Sequence, residues 1–509
     1  MTRGMAWQNG PGKNASTGVV VAQRLFPGRC GPHRTESCPP TRPLSATRLD
    51  APRASARVQM APIPPRRRRR PHAVDPHTVH TLLGGGVGNS VDPIFKRALL
   101  SGDETTLADW VANQGSHRSM IACPALPLDV GGPPMHAEVA GAGFAGLAAA
   151  ISLHRRGWSV TVHEKEPVLR AFGAGIFIWE NGQRVLQAIG AYPDVARGAH
   201  QAPGYETRRN GACVSFETIN GANPFLLMTM TRQHLYSAIL ASVAREGIEI
   251  VTRSEAVAAR PEGVLELADG HHRKADLVIA ADGVRSAVRD SLGVACSRKK
   301  YQDGIVRVLV ERGGFVGGAW NHVIDFWAFE PRTLRILYAP CEDGRLYMAM
   351  MSPRDDKEAS KLPIDPTIWA SAFPTLAPAI ESVGSRGRYD VYETTRLDAW
   401  SVGHVAIVGD AAHAMPPTLA QGACLAMMNA LSLAEFVSKG SDLPVDLQRW
   451  EKCERALTDH TQSRSAELAR TRALGSGMQW DDIGMRAARH VPTGTRPEEF
   501  PRLRPYSGT

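Results

Sequence analysis

Apolar and polar positions divide the chain into a first quarter without rhythm and a patterned remainder. Little sustained apolar periodicity appears before about Val91, and Val91 to Trp110 fits at most one short amphipathic helix, to which no function is assigned. From residue 136 the pattern changes. HAEVAGAGFAGLAAAISLHRRGWSVTVHE (136–164) predicts a short apolar strand, a glycine-rich turn, an Ala- and Leu-rich helix to Arg156, a stop at Gly157 and a second strand ending in an acid. Further strands are predicted at Leu277 to Ala281 and at His404 to Val408, and a helix starts near Gln421-Gly422, with helical periodicity from about 420 to 475. Between them VRVLV, VIDFWAF, LRILYA and LYMAMM alternate or run apolar, as strands of an antiparallel sheet do. His271 and His272 follow Asp269-Gly270 and are expected in an exposed hairpin turn.

The order strand, glycines, helix, strand, acid carries chemistry. Gly141 permits the tight turn, Gly143 lets backbone N–H groups approach a pyrophosphate, and Gly146 lets helix and strand pack closely. An anion then sits on the helix N-terminus, where unpaired N–H groups and the dipole both favour it. Glu164 ends the second strand where a carboxylate can accept hydrogen bonds from a ribose diol. This unit alone does not choose between dinucleotides. ADLVIAADGVRSAVRDSLG (275–293) stops a strand at Asp282-Gly283, and GHVAIVGDAAHAMPPTLAQGACLAMMNALSLAEFV (403–437) follows a strand with Gly409-Asp410 and a Pro-broken loop. Asp410 can hold polyol hydroxyls, while the helix start at Gly422 can face the polar edge of a heteroaromatic ring.

Charge and cysteine content narrow the alternatives. The chain has 509 residues, enough for two or three domains, and is 43% hydrophobic. No run approaches the roughly 20 apolar residues of a membrane span, so a soluble cytoplasmic protein is expected, without membrane partner. The net charge of +9 lies wholly in residues 1–134, and residues 135–509 are balanced. That basic, Pro- and Arg-rich extension, with the run Arg66 to Arg70, is read as disordered. A nucleic-acid arm or twin-arginine signal is the alternative, but no apolar segment follows the arginines: His72, Asp75, His77 and His80 interrupt it. The plainer expectation is a start assigned too far upstream, with the working enzyme beginning near Met135 and no nucleic-acid partner. Eight cysteines form no Cys-x-x-Cys pair and no zinc-spaced His/Cys cluster, so no metal site is expected and reduced thiols are.

GAGFAG, ADGVRS and GDAAHAMPP together resemble the three fingerprints of the flavoprotein aromatic hydroxylases, the class A flavin monooxygenases, over residues 135–437. The resemblance implies FAD as cofactor, NADH or NADPH as transient co-substrate and dioxygen as oxidant. No second glycine-rich βαβ unit is encoded, which the family resolves by docking the nicotinamide transiently on the flavin domain. Carried onto this chain, the FAD contacts would be Gly141, Gly143, Phe144, Ala145, Gly146, Glu164, Lys165, Arg170, Arg232, Asp282, Gly283, Gly409, Asp410, Gly422 and Ala423. The implied fold is α/β: a Rossmann-like FAD domain, an inserted, mainly antiparallel substrate domain and a helical tail. The expected division is 1–134 extension, 135–300 FAD domain with hairpin insertions, 301–395 substrate domain, 396–437 last FAD segment and 438–509 tail.

Four longer strings, RAFGAGIFIWENGQRVLQAIGA, YET, PRTLRILYAPC and RYDVYETTRLDAW, are similar to a narrower group, the 2-methyl-3-hydroxypyridine-5-carboxylate oxygenases of pyridoxine breakdown. That likeness implies a small aromatic or pyridine carboxylate substrate, with oxygenation and ring opening. It places Arg298, Tyr338 and Tyr205 at the substrate and Pro417 beside the oxygen-reacting face of the flavin. A guanidinium pairs with a ring carboxylate, and a phenol can orient the ring hydroxyl. The plainer readings are a solvated Arg298 in the cluster Arg298, Lys299, Lys300, an ordinary sheet tyrosine at 338 and a loop proline at 417. His413 is read as structural or FAD-adjacent rather than a general base. Pro416, Thr418 and Glu330 depart from the group and could change the accepted ring. Two readings stay open beside ring opening: simple hydroxylation of a phenol or hydroxypyridine, and a flavin-binding regulatory protein using residues 1–134 as a basic arm. Oligomeric state is open.

Overall fold

The computed structural model describes residues 134–169, 174–221, 225–341, 344–472 and 485–495. The basic extension, the segment Val91 to Trp110 and Arg170 lie outside the described residues.

The glycine-rich unit folds as its pattern requires. The strand His136–Ala140 leads through Gly141 into the helix Phe144–His154, and the chain returns in Ser159–Glu164. The helix is Ala-rich and almost wholly buried, with no polar face, because it is covered by the sheet and by the helices Arg232–Glu246 and Gly422–Lys439. It ends two residues before the expected Arg156, and Gly157 turns the chain in the left-handed region at φ 87°.

A six-stranded sheet runs in the order Ser401–Val402, Val405–Ile407, Leu277–Ala280, His136–Ala140, Ser159–Glu164 and Glu249–Thr252. All neighbours but the first pair are parallel. The register sets Ala140 beside Ala280 and His163, and Ala280 beside Ile407. Parallel strands in this register end at one edge, so Gly141, Glu164, Asp282 and Gly409-Asp410 emerge together despite separations of up to 270 residues in sequence.

The second large sheet has seven strands in the order Tyr389–Leu397, Cys296–Glu311, Arg345–Pro353, Leu334–Pro340, Val323–Ala328, Gly204–Arg209 and Ala212–Thr218. It is antiparallel except where Val323–Ala328 runs parallel to Gly204–Arg209. The hairpin 204–218 thus joins this sheet, and the pairing already starts at Cys296. One face of the sheet looks toward the FAD-motif side. The other packs Val306, Val308, Ile324, Ile336 and Tyr338 against Trp369, Phe373, Leu376 and Ile380 as a separate core. The α/β class with C-terminal helices holds, as the pattern predicts.

The helix Leu443–Thr471 buttresses the whole. Asp442 caps it by accepting from Val445 N (3.2 Å), and its buried stripe Leu443, Leu447, Trp450, Leu457, Thr461, Ser465, Leu468 repeats at helical spacing. At its end Arg472 pairs with the buried Asp303 at 2.7 and 3.1 Å.

Among the described glycines Gly146 is the one pressed hardest against backbone: a Cβ there would lie 2.0 Å from Gly141 O, an atom that cannot swing away. Gly146→Ala is expected to cost about 1 to 3 kcal/mol, seen as a lower urea midpoint at unchanged slope. An unchanged midpoint would refute the close approach.

Candidate active site

The glycine turn presents donors because it lacks side chains. Gly141 (φ 103°) donates its N–H to His163 O at 2.7 Å, and a Cβ would meet Ala281 O at 2.6 Å. Gly143 caps the helix Phe144–His154 with no side-chain hydrogen bond, and its Cβ direction faces open space. The first N–H groups of the helix are therefore available to an anion. Glu164 is held by its own backbone surroundings: its two carboxylate oxygens accept from Ala142 N and Glu166 N, each at 3.0 Å. A cavity of about 270 Å³ opens beside it, with Lys165, Ser254, Asp282, Gly283 and Arg285 in its wall. Asp282 accepts from Ser286 Oγ and from Val288 N (3.2 Å), so it also caps the short helix Ala287–Ser291. Burial raises its carboxyl above the usual range, against those hydrogen bonds.

A larger cavity of about 900 Å³ shares the glycine turn at Gly143 and lies between the two sheets. Phe144 and Ala145 border it, as do Arg232, Asp410, Pro416, Pro417, Gly422 and Ala423. Gly409 (φ 63°) is needed here, since its Cβ would stand 2.9 Å from Ala145 Cβ. The Asp410 side chain is open toward the cleft and enclosed by protein elsewhere. That enclosure raises its carboxyl, while Arg232 and then Arg307 pull it down. Arg232 lies over the Phe144 ring at 4.9 Å, and its buried Nε has no protein partner. Burial, then Arg307, lower its pKa, against Asp410.

The loop between Asp410 and Gly422 is fixed from behind. Ser465 Oγ donates to Pro416 O at 2.5 Å, and Thr418 Oγ1 bonds to Ser465 at 2.8 and 2.9 Å. Ala420 is held left-handed at φ 52°, which no glycine relieves. Gly422 begins a helix whose N-cap, Gln421, makes no side-chain cap. Two uncapped helix starts, a ribose-height carboxylate and a polyol-height carboxylate on one sheet edge suit a flavin dinucleotide.

Opposite them the seven-stranded sheet contributes alternate residues. Arg307, Arg335, Leu337, Tyr347 and Ala349 border the cleft, with the register setting Arg307 and Leu337 on either side of Ala349. Arg335 is buried and bidentate on the buried Asp325, at 2.6 and 3.2 Å, and lies 5.2 Å over the Trp327 ring. Burial would lower its pKa, but Asp325, Tyr392 and Tyr205 raise it above the ordinary value. Burial holds Tyr347 above the usual tyrosine range, against Arg307 and Arg232. Arg307 is half-buried, 3.5 Å from Asp390.

Known proteins share this arrangement. A family model described as an FAD binding domain matches residues 135–439. The chain belongs to the FAD-dependent monooxygenase family. It is 45% identical to 2-methyl-3-hydroxypyridine-5-carboxylic acid oxygenase in its tetrameric form. That likeness has a TM-score of 0.68 and covers 72% of this chain and 100% of that one. It is 40% identical over 373 residues to a putative 2-heptyl-3-hydroxy-4(1H)-quinolone synthase of Rhodococcus erythropolis, 70% of this chain and 97% of the relative. A 3-amino-4-hydroxybenzoate 2-monooxygenase of Streptomyces platensis is 29% identical over 380 residues, 71% and 93% of the two chains. The flavoprotein is thus a monooxygenase of aromatic substrates.

The structure brings Gly141, Gly143, Phe144, Ala145, Glu164, Arg232, Asp410, Pro417, Gly422 and Ala423 onto the two cavities, with Asp282 and Gly283 at the smaller one, while Gly146 and Gly409 line neither. Lys165 stands exposed at that rim. Three substrate expectations need correction. Tyr338 shares a strand with Arg335, but an odd separation of three residues turns it to the opposite face. There its hydroxyl donates to Trp320 O at 2.9 Å and packs against Phe315 and Trp320. Arg298 is 39% exposed and committed to Glu393, outside the cleft lining. Tyr205 is buried behind Arg335 instead of bordering the cleft. Arg335, Tyr347 and Arg307 were missed. A single arginine inside the apolar strand LRILYA is the signal that could have found the first.

Among the described residues no helix is long and apolar enough to cross a membrane. His413 is buried beside Trp400, with Nε2 3.1 Å from Asn429 Nδ2, and does not border the cleft. Burial pushes it down to about 4 from 6.5. In that window the unfolded chain holds a proton that the folded chain refuses, so stability falls as pH falls from about 6.5 toward 4, by on the order of 3 kcal/mol. His413→Gln should flatten this acid limb in urea melts. Equal slopes in both proteins would count against the buried neutral imidazole.

Proposed function

We propose that the flavoprotein oxygenates a hydroxylated aromatic or pyridine carboxylate of the 2-methyl-3-hydroxypyridine-5-carboxylate type, with NADH or NADPH as electron donor. The observation that carries this reading is the set of arginines bordering the cleft: Arg232, Arg307 and Arg335 inside and Arg345, Arg386 and Arg388 toward the rim, against Asp390 and Asp410. Asp325, Glu311 and Asp390 pair with several of these arginines, and the guanidinium donors still turned to the cleft favour a ring acid over a neutral ring.

FAD, when bound, stores the nicotinamide's electrons and activates dioxygen. The chain's own residues do the rest. Gly143 and the helix starts at Phe144 and Gly422 offer N–H donors, while Glu164 and Asp410 accept from hydroxyls. Arg335, held rigid by Asp325 and Trp327, and Arg307 receive the carboxylate. Tyr347 keeps its proton at neutral pH, because burial raises it, and can donate to the ring oxygen or its ionised form. Pro416 and Pro417 wall the ring side and exclude water. Hydroxylation consumes one dioxygen and one NAD(P)H with a proton, places one oxygen in the product and releases the other as water. Ring opening instead adds both oxygens and two hydrogens.

The quinolone synthase relatives favour a second reading, a neutral bicyclic ring hydroxylated without opening. NADH oxidation by the FAD-loaded full chain should be stimulated by 2-methyl-3-hydroxypyridine-5-carboxylate, and the product should gain two oxygens and two hydrogens. A gain of one oxygen replaces ring opening by hydroxylation. Stimulation only by a heptylquinolone selects the second reading and overturns the first.

Arg335→Lys, which keeps the charge and loses the fork, is expected to raise KM roughly 10- to 100-fold at unchanged FAD affinity. Arg298→Ala and Tyr338→Phe should leave KM within about 2-fold, since neither borders the cleft. A KM effect from these two with none from Arg335→Lys would reverse the assignment.

A further inference from the structure

A buried polar chain crosses the parallel sheet where apolar residues would otherwise sit. Glu138, in the middle of His136–Ala140, is 5% exposed, and its Oε2 lies 2.7 Å from His163 Nε2. His163, 3% exposed, places Nδ1 2.7 Å from Ser254 Oγ. His136 Nε2 approaches the other oxygen of Glu138 at 3.2 Å. Burying a carboxylate and an imidazole costs several kcal/mol unless both are well bonded. None of these four takes part in the oxygenation chemistry described above.

The chain ends at a ligand cavity. His163 and Ser254 both border the smaller cavity beside Glu164 and Gly283. The backbone is bent to put Ser254 there: Arg253 sits left-handed at φ 55°, and Ser254 N donates to Glu164 O at 2.9 Å. An ionised Glu138 accepts only, so His163 Nε2 carries the proton and Nδ1 accepts from the Ser254 hydroxyl. Ser254 Oγ then turns lone pairs, not its proton, toward the cavity.

We propose that Glu138 and His163 are positioning residues that fix Ser254 as a hydrogen-bond acceptor for a donor on the adenosine half of FAD, the adenine amino group or a ribose hydroxyl. The other His163 tautomer would reverse the chain: Nδ1–H would donate to Ser254, and the hydroxyl proton would point into the cavity. The charged and titratable groups facing this array are His136 from its own sheet, Glu164 and Lys165 after His163, Glu255 beside Ser254, and Asp282 and Arg285 across the cavity. The inference concerns the cofactor end of the site and stands whichever ring acid is the substrate.

The test titrates flavin-stripped full chain with FAD, with its hypoxanthine analogue lacking the amino group, and with its 2′-deoxyribose analogue, following flavin fluorescence. Ser254→Ala should bind FAD about 3- to 10-fold more weakly, and Ser254→Thr should restore binding. Both the wild type and Ser254→Ala should bind one analogue equally, which identifies the donor. Glu138→Gln, which no longer obliges His163 Nε2 to carry the proton, should weaken FAD binding in the Ser254 protein and have no further effect in Ser254→Ala. FAD affinity unchanged in Ser254→Ala, or equal losses on both analogues in both proteins, overturns the proposal.

Discussion

The approach of three strand ends to one helix start is the constraint on which the rest of the molecule depends. Gly141, Gly146 and Gly409 have no room for a side chain: each Cβ would fall within 3 Å of another atom of the same knot. Only because these positions are bare can the helix Phe144–His154 begin flush with the sheet edge and leave its first N–H groups open. The parallel register then carries Glu164, Asp282 and Asp410 to the same edge. A cofactor spanning that edge stitches together segments that are far apart in sequence.

The second sheet solves a different problem, that of keeping cations inside a protein. Arg335 stands in an apolar strand and is tolerated because Asp325 neutralises it from behind, Trp327 stacks on it and Tyr205 lies beneath it. The pair is rigid as well as satisfied, which is what a binding group needs. Strand alternation gives this sheet two chemistries: charged and polar toward the flavin side, apolar toward Trp369 and Phe373. The long helix Leu443–Thr471 closes the design by holding the Pro416–Thr418 loop through Ser465, so the strained Ala420 and the helix start at Gly422 keep their places.

The buried Glu138–His163–Ser254 chain belongs to the same economy. Each polar group that the sheet encloses is bonded to another and ends at a cavity, so burial and recognition are solved by one arrangement. His413, by contrast, is enclosed among Trp400, Asn429 and Thr458 and kept neutral, a packing residue beside the flavin loop.

The sequence by itself determined the α/β class, the dinucleotide turn and the FAD fingerprints, because those depend on local features: glycines needing positive φ, an Ala-rich helix, an acid at a strand end. Alternation also located four strands of the second sheet, but not that the hairpin 204–218 joins it. Which side chains meet at the substrate was decided only by tertiary structure. Tyr338 and Arg335 are three residues apart on one strand, and a single step in face separates a core tyrosine from a cleft arginine. Arg298 has the right chemistry, but its strand carries it to the surface, where Glu393 takes it. The partners that make Arg335 possible, Asp325 and Tyr205, come from two other strands. No spacing along the chain could show that they converge, since strand order is set by packing of the whole sheet.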